Sequence, residues 1–219
     1  MIDILIPVLG RPERAKPVHQ SIWHNSALPR TVIFLCSRGD EAEIEACKQT
    51  GAIVHLIDGG DHEYARKINA GCLLDFTKNQ WVFLGADDLD FHPRWDMAAM
   101  QVYADTGKRV IGTNDLCNPT VMRGLHSTHS LVHKSYIEDG TIDEPGKLLH
   151  EGYHHNYCDT EFIETARMRG EWAFSPDSYV EHLHWICGKG EKQDSIYEKG
   201  QKDYHSDGRL YATRRKLWR

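Results

Sequence analysis

Trp81-Val-Phe-Leu-Gly-Ala-Asp-Asp-Leu-Asp90 decides the fold, because a short apolar run empties directly into three carboxylates. A run of that length reads as a buried strand of a parallel sheet, and ligands in open α/β sheets bind outside the carboxyl ends of such strands. Asp87, Asp88 and Asp90 therefore fall where a site belongs. Three acids in four residues repel one another unless they are solvated or bridged, and a divalent cation with oxygen ligands is a common bridge. The competing reading is a solvated turn, with Asp88 or Asp90 capping a helix that starts near Pro93.

Working outward, apolar runs at 4–9, 32–36, 53–57, 81–84 and 110–112 are each bounded by Gly, Pro, Asp or Asn. Helical spacing fills the gaps between them. Residues 62–76 put Ala65, Ile68, Cys72, Leu73 and Phe76 on one face, with Arg66, Lys67, Asn69 and Asp75 largely elsewhere and Lys67 exposed. A shorter helix, Glu41–Gln49, stops at Gly51. Strands alternating with helices over about the first half argue a mainly parallel sheet with helices on both faces. Residues 114–156 are rich in His, Gly, Asn and Thr, which predicts loops and short strands around a cleft. Residues 158–169 read as helix, 172–185 as turn and strand, and the charged tail from Gly188 as helix.

The 219 residues suffice for one domain with a full core, and the formal charge of −6 argues against bulk electrostatic capture of nucleic acid. The basic end Arg214-Arg215-Lys216-Leu-Trp-Arg219 reads as a solvated helix terminus. Cys36, Cys47, Cys72, Cys117, Cys158 and Cys187 form no Cys-x-x-Cys pair, so a zinc knuckle or redox motif is absent and reduced thiols are expected. The first apolar run has no basic segment before it and is too short for a signal or a membrane span, so a soluble, cytoplasmic protein is expected.

Two later stretches carry chemistry. In Val180-Glu-His-Leu-His-Trp185 an extended strand turns His182 and His184 to one side, and Leu183 and Trp185 to the other, toward the core. Paired imidazoles suit a metal or a diphosphate; the alternative is one ligand and one structural histidine. In His150-Glu-Gly-Tyr-His-His-Asn-Tyr-Cys-Asp-Thr-Glu161, a helix follows an acid that could serve as a base or as its N-cap.

Three motifs in order, Ile4-Leu-Ile-Pro-Val-Leu-Gly-Arg-Pro12, Tyr64-Ala-Arg-Lys-Ile-Asn-Ala-Gly71 and Phe83-Leu-Gly-Ala-Asp-Asp88, resemble the GT-A glycosyltransferases of the family-2-like group. The resemblance covers residues 1–100 well and 159–185 more loosely. It implies an α/β GT-A fold with a mainly parallel central sheet flanked by helices, as a single domain over 1–219. Residues 1–113 would be the nucleotide-sugar half, 114–187 the acceptor and catalytic half, and 188–219 a helical extension. It further implies Mn²⁺ or Mg²⁺ and a UDP-sugar donor, with inverting transfer to an acceptor that the sequence does not name. Short members of this kind occur in bacteriophages and bacteria, decorating virion proteins, modified DNA bases or glycans; a phage enzyme would work in the host cytoplasm.

Carried over by residue, the resemblance assigns nucleotide contacts to Pro7, Arg11, Arg66, Asn69, Asp87 and Asp88, with Arg66 preferred over Lys67 for the diphosphate. Metal ligands would come from Asp87, Asp88 and Asp90 together with His182 or His184. The acid that usually contacts the ribose would fall at Gly85, so the pair that holds metal is either Asp87 with Asp88 or Asp88 with Asp90. The base would be Asp159, with Glu161 as runner-up. Asn114, Asp115, His126 and His129 would touch sugar or acceptor. Two alternatives remain: a non-catalytic sugar- or nucleotide-binding module, and a nucleotidyltransferase; a metal-dependent hydrolase rests only on the His-x-His and acid clusters.

Overall fold

The computed structural model describes residues 1–59, 63–74, 79–189 and 195–218. The expected helix positions Asp75 and Phe76 and the terminal Arg219 lie outside the described residues. Strand β1 (Ile2–Pro7) is the axis of the sheet, paired in parallel with β2 (Arg30–Ser37) on one side and β4 (Trp81–Leu84) on the other. Strand β3 (Ile53–Ile57) pairs in parallel with β2. Helices α1 (Pro12–Asn25), α2 (Glu41–Gln49) and α3 (Glu63–Cys72) make the crossovers. This half follows the sequence pattern closely, with β4 and α2 falling at the expected bounds.

Side chains alternate across the strands, which explains why the core has two layers. Ile2, Ile4 and Ile6 of β1 and Phe83 of β4 pack toward α1, α2 and α4 (Trp95–Thr106), where Phe83 meets Trp95 edge-on at 4.7 Å. Leu5, Val82 and Leu84 point the other way, onto Ala65 and Ile68 of α3 and Phe162 of α7 (Cys158–Met168). Each such side chain contributes about 1.5–3 kcal/mol when fully buried.

The second half departs from the parallel pattern. Strand β7 (Ser130–His133), preceded by the short helix α5 (Pro119–Met122) and followed by α6 (Lys134–Ile137), runs antiparallel between β4 and β6 (Val110–Asn114), an insertion that the short run Ser-Leu-Val-His does not signal by length. Strand β8 (Trp172–His182) pairs in parallel with β6 over Trp172–Phe174 and again, past an irregularity, at Tyr179. Its last residues then leave that ladder to pair antiparallel with β5 (Leu89–Phe91). The complete order is β3-β2-β1-β4-β7-β6-β8-β5. Because β5 leaves its neighbour β4 to join β8, the turn between β4 and β5 lies open at the carboxyl end of the sheet, and it carries Asp87 and Asp88.

Helix α8 (Ser195–Arg214) packs back over this end. Its Asp207, 1% exposed, accepts the backbone amides of His154, His155 and Asn156 at 2.8–3.0 Å and so fixes the loop leading into α7. Arg214 is buried rather than solvated: its guanidinium donates twice to Glu161 at 2.8 Å and also reaches Asp143. Cys117 and Cys187 form a disulfide with Cα atoms 5.5 Å apart, correcting the expectation of six reduced thiols; Cys36, Cys47, Cys72 and Cys158 are free and buried. Among the described residues no helix is long and apolar enough to cross a membrane.

Candidate active site

One cavity of about 660 Å³ opens at the carboxyl ends of β1 and β4, beneath α8. Pro7, Arg11, Asp87, Asp88, His126, His129, Asp159, His182 and His184 all line it, so segments far apart in sequence converge there. Neither Asp88 nor Asp90 caps α4, whose N-cap is Arg94, and the solvated-turn reading is set aside. Gly85 is glycine for a steric reason: a Cβ there would lie 2.6 Å from the Ile6 side chain and 2.9 Å from the Leu5 carbonyl oxygen. The tight approach of β4 to β1, sealed by the Gly85 amide donating to that same carbonyl, leaves no room for an acid.

The two acids of the turn behave differently. Asp88 is 6% exposed and accepts a hydrogen bond from the Tyr197 hydroxyl at 2.9 Å, with His182 Nε2 at 3.2 Å. Burial opposes its charge, yet His182 and Tyr197 hold its carboxyl well below the usual carboxylate range. Asp87 is pushed up to about 7, by burial first and by the neighbouring Asp88 charge second, although Arg11 and Arg14 stand at 3.4 and 3.7 Å. Two carboxylates packed side by side thus hold less negative charge than they would with a further cation present. Two carboxylates with one imidazole also make a donor set suited to Mn²⁺ or Mg²⁺, so the residues fit the metal that the resemblance implies.

The histidines divide by their partners. His182 faces Asp88, which raises its pKa against the opposing effect of burial. His184 Nδ1 accepts the Ile186 amide, so its neutral ring carries the proton on Nε2, away from a metal-binding role. Burial and the nearby His182 push His184 down to about 4. His129, 4% exposed, is likewise pushed down to about 4 by burial, then by His182, and its Nδ1 donates to the Leu84 carbonyl at 3.0 Å. Strand β8 ends at His182 and a short 3₁₀ turn, Trp185–Cys187, follows, so Leu183 and Trp185 are half-buried there rather than part of the core.

Asp159 also lines the cavity, from the first turn of α7. It is not the N-cap; that position belongs to Tyr157, at φ 66°. Asp159 Oδ2 lies 3.1 Å from His126 Nε2, and Oδ1 accepts the Thr160 amide at 2.8 Å. Burial opposes ionisation of Asp159, but the His126 hydrogen bond and charge outweigh it and hold the carboxyl below its ordinary value. His126 is raised in turn, despite burial, by Asp159.

Six expected residues lie elsewhere. Arg66 turns to the Asp58 carbonyl, and the cavity receives Lys67 instead, 1% exposed rather than solvated, with Nζ 2.7 Å from both the Val8 carbonyl and Glu63. Asn69 ties α3 to Leu149 and Glu151. Asp115 holds its own loop through the Cys117 and Asn118 amides and the Thr128 hydroxyl, while Asn114 donates to the Pro176 carbonyl. Glu161 is locked by Arg214 and by the Tyr153 hydroxyl at 2.7 Å. Asp90 accepts from Ser21 and sits with His92 and Glu181. Among the described residues these are the only three metal-capable side chains whose ligand atoms lie within 4.8 Å of one another, but they are outside the cavity, with Lys189 already paired to Glu181. Asp87, Asp88 and His182 offer the same donor types within the cavity, whereas Asp90, His92 and Glu181 combine those donors with the tighter spacing outside it. Arg14 and Tyr197, which stack behind the acids, carried no signal in the sequence beyond their charge and ring.

No protein-family model and no curated protein matches the chain. Solved structures do. The mannosyltransferase PcManGT from Pyrobaculum calidifontis, in complex with GDP-Man and Mn²⁺, superposes with a TM-score of 0.62 at 12% identity, over 83% of this chain and 56% of that one. TarS of S. aureus, residues 1–349 in complex with UDP-GlcNAc, gives 0.58 at 10% identity, over 90% of this chain and 63% of that one. The fold is that of the GT-A glycosyltransferases. A longer TarS structure is covered over only 36% of its length, so this GT-A chain spans between about one third and two thirds of the structures it matches.

Proposed function

We propose that this GT-A chain is a metal-dependent glycosyltransferase that moves a sugar from a nucleoside diphosphate donor, UDP-linked, to an acceptor hydroxyl with inversion. The observation that carries the reading is the meeting, in one cavity, of the buried acids Asp87 and Asp88, on the turn after β4, with the ionised Asp159, in the first turn of α7. Inversion requires the acceptor oxygen to approach from the side opposite the departing diphosphate, which separates the group that takes the proton from the groups that receive the leaving charge.

Asp87, Asp88 and His182 would hold Mn²⁺ or Mg²⁺, which supplies positive charge to the departing diphosphate. Arg11, at the start of α1 and stacked 4.1 Å over the Tyr197 ring, offers a guanidinium suited to phosphate oxygens. Lys67 fixes the end of β1 through the Val8 carbonyl, so that Pro7 and Val8 form a firm wall for the nucleoside. The His126–Asp159 pair receives the acceptor's proton.

Incubation with UDP- and GDP-linked hexoses and Mn²⁺, with free nucleotide diphosphate as readout, tests the reading. Release that requires metal and disappears in Asp87→Ala supports it; binding without turnover of any donor, by acceptor or by water, would make the chain a binding module.

A further inference from the structure

Asp159 and His126 together resolve which atom takes the proton. Both oxygens of Asp159 are engaged: Oδ1 accepts from the Thr160 amide at 2.8 Å and faces its hydroxyl at 3.4 Å, while Oδ2 lies 3.1 Å from His126 Nε2. A carboxylate only accepts, so Nε2 carries the hydrogen, and in the neutral ring Nδ1 carries the lone pair. Among the described residues no hydrogen bond engages Nδ1, it is not one of the atoms sealed from solvent without a partner, and the ring lines the cavity. The carboxylate is pinned to a helix turn, and the imidazole presents a base.

We infer that His126 Nδ1 is the atom that takes the acceptor's proton, with Asp159 orienting the ring and stabilising the imidazolium that forms. This rests on the transferase reading above and changes the chemistry within it. The roles are those of a general-base histidine with an orienting carboxylate, recognised by geometry rather than by chain order. As the acceptor oxygen forms its bond to the anomeric carbon, its proton passes to Nδ1. The bond from that carbon to the diphosphate breaks, and its electron pair leaves with the diphosphate. The imidazolium then returns the proton to solvent.

The surroundings suit a ring that charges during turnover. Acidic groups face His126 from two sides, Asp115 from the loop after β6, and Asp159 and Glu164 from α7. Arg167 of α7, which donates at 2.7 Å to the carbonyl of Leu125, the residue before His126, is stacked on Trp172. A carboxylate base would work down to acid pH, whereas an imidazole paired in this way loses activity on the acid side of neutrality.

The test uses the full chain with Mn²⁺ and the UDP- or GDP-hexose that it hydrolyses, followed by nucleotide release from pH 5 to 9. Proton NMR titration of the ring that vanishes in His126→Gln runs in parallel, and UDP affinity by calorimetry serves as the check on folding. The expected wild-type rate falls with acid at a midpoint equal to the His126 titration, above the ordinary imidazole value near 6.5. Asp159→Asn should move both midpoints down together, while His126→Gln should cut the plateau rate about 10²–10⁴-fold and abolish that limb with UDP affinity unchanged. A His126→Gln enzyme that keeps wild-type turnover, or a wild-type limb near pH 4 that only Asp159→Asn removes, overturns the inference and leaves the carboxylate as the base. Wild-type protein that binds no nucleotide donor overturns the transferase reading itself, and this inference with it.

Discussion

Asp87→Asn should make the metal-free protein more stable while destroying its response to metal. The wild-type carboxyl is lifted from 3.8 to about 7 by burial and by Asp88. Relative to a neutral side chain, ionising it in the folded state costs up to about 4 kcal/mol, at about 1.4 kcal/mol per pH unit. Its side chain is only 9% exposed, so solvent screening removes little of this. That figure already includes the attraction to Arg11 and Arg14; asparagine instead buries an amide donor beside the two guanidiniums at a cost of about 1–3 kcal/mol, which leaves an expected net gain of about 1–3 kcal/mol, or roughly 3–9 °C for a chain of this size. The pH dependence follows from the direction of the shift. Below 3.8 both states are protonated and the variant gains nothing; the gain grows as pH rises toward 7 and is constant above it. Thermal denaturation in EDTA at pH 4, 6 and 8 measures this. With UDP and Mn²⁺ at about 100 times their dissociation constant, the wild type should gain about 2.7 kcal/mol and the variant almost nothing. A variant that melts lower than wild type at pH 8 in EDTA, or that keeps the Mn²⁺ response, refutes the argument.

Three further outcomes follow from the same geometry. His182→Ala should weaken Mn²⁺ binding to the UDP complex by about tenfold or more, and His184→Ala by far less, because His184 Nδ1 is committed to the Ile186 amide; equal losses in calorimetry would contradict the division. The His182–Asp88 pair, whose histidine is raised above 6.5, should stabilise the metal-free fold at pH 6 and lose that effect as pH climbs through the raised value, so His182→Ala should cost more stability at pH 6 than at pH 9 in denaturant titrations. Glu161→Gln should cost about 2–4 kcal/mol by leaving Arg214 with Asp143 alone, yet bind UDP as the wild type does; loss of UDP affinity in a variant that remains folded would return Glu161 to the site.

The sheet up to β4 was legible because its strands are short apolar runs ending in turn residues; Arg11, Asp87 and Asp88, which follow those ends, line the cavity, as does Asp159, which the sequence marks as an acid at the start of a helix. The errors came from faces that sequence periodicity does not encode. Helix α3 buries two sides, Ala65, Ile68 and Cys72 against the sheet and Lys67 and Asn69 against the Val8 and Leu149 backbone. Polar residues buried by hydrogen bonding look solvent-exposed to an amphipathicity argument. Glu161 found its partner 53 residues away, and Asp207 holds three amides at a similar separation. No local pattern announces either contact. Asp90 lies two residues beyond Asp88, and residues at that spacing share a face in a continuous strand. Here, though, Asp88 belongs to the turn and Asp90 to β5, so Asp90 meets Ser21 instead of the cavity.

The most direct measurement of the central claim is calorimetric titration of UDP, GDP and their hexose conjugates into the protein, each with and without Mn²⁺. The account predicts that a nucleoside diphosphate binds in Mn²⁺, that chelation weakens it at least about tenfold, and that Asp87→Asn reproduces the chelated value with the cation present. Binding that is indifferent to Mn²⁺ and to Asp87, or no binding of any nucleotide by the folded chain, would contradict it.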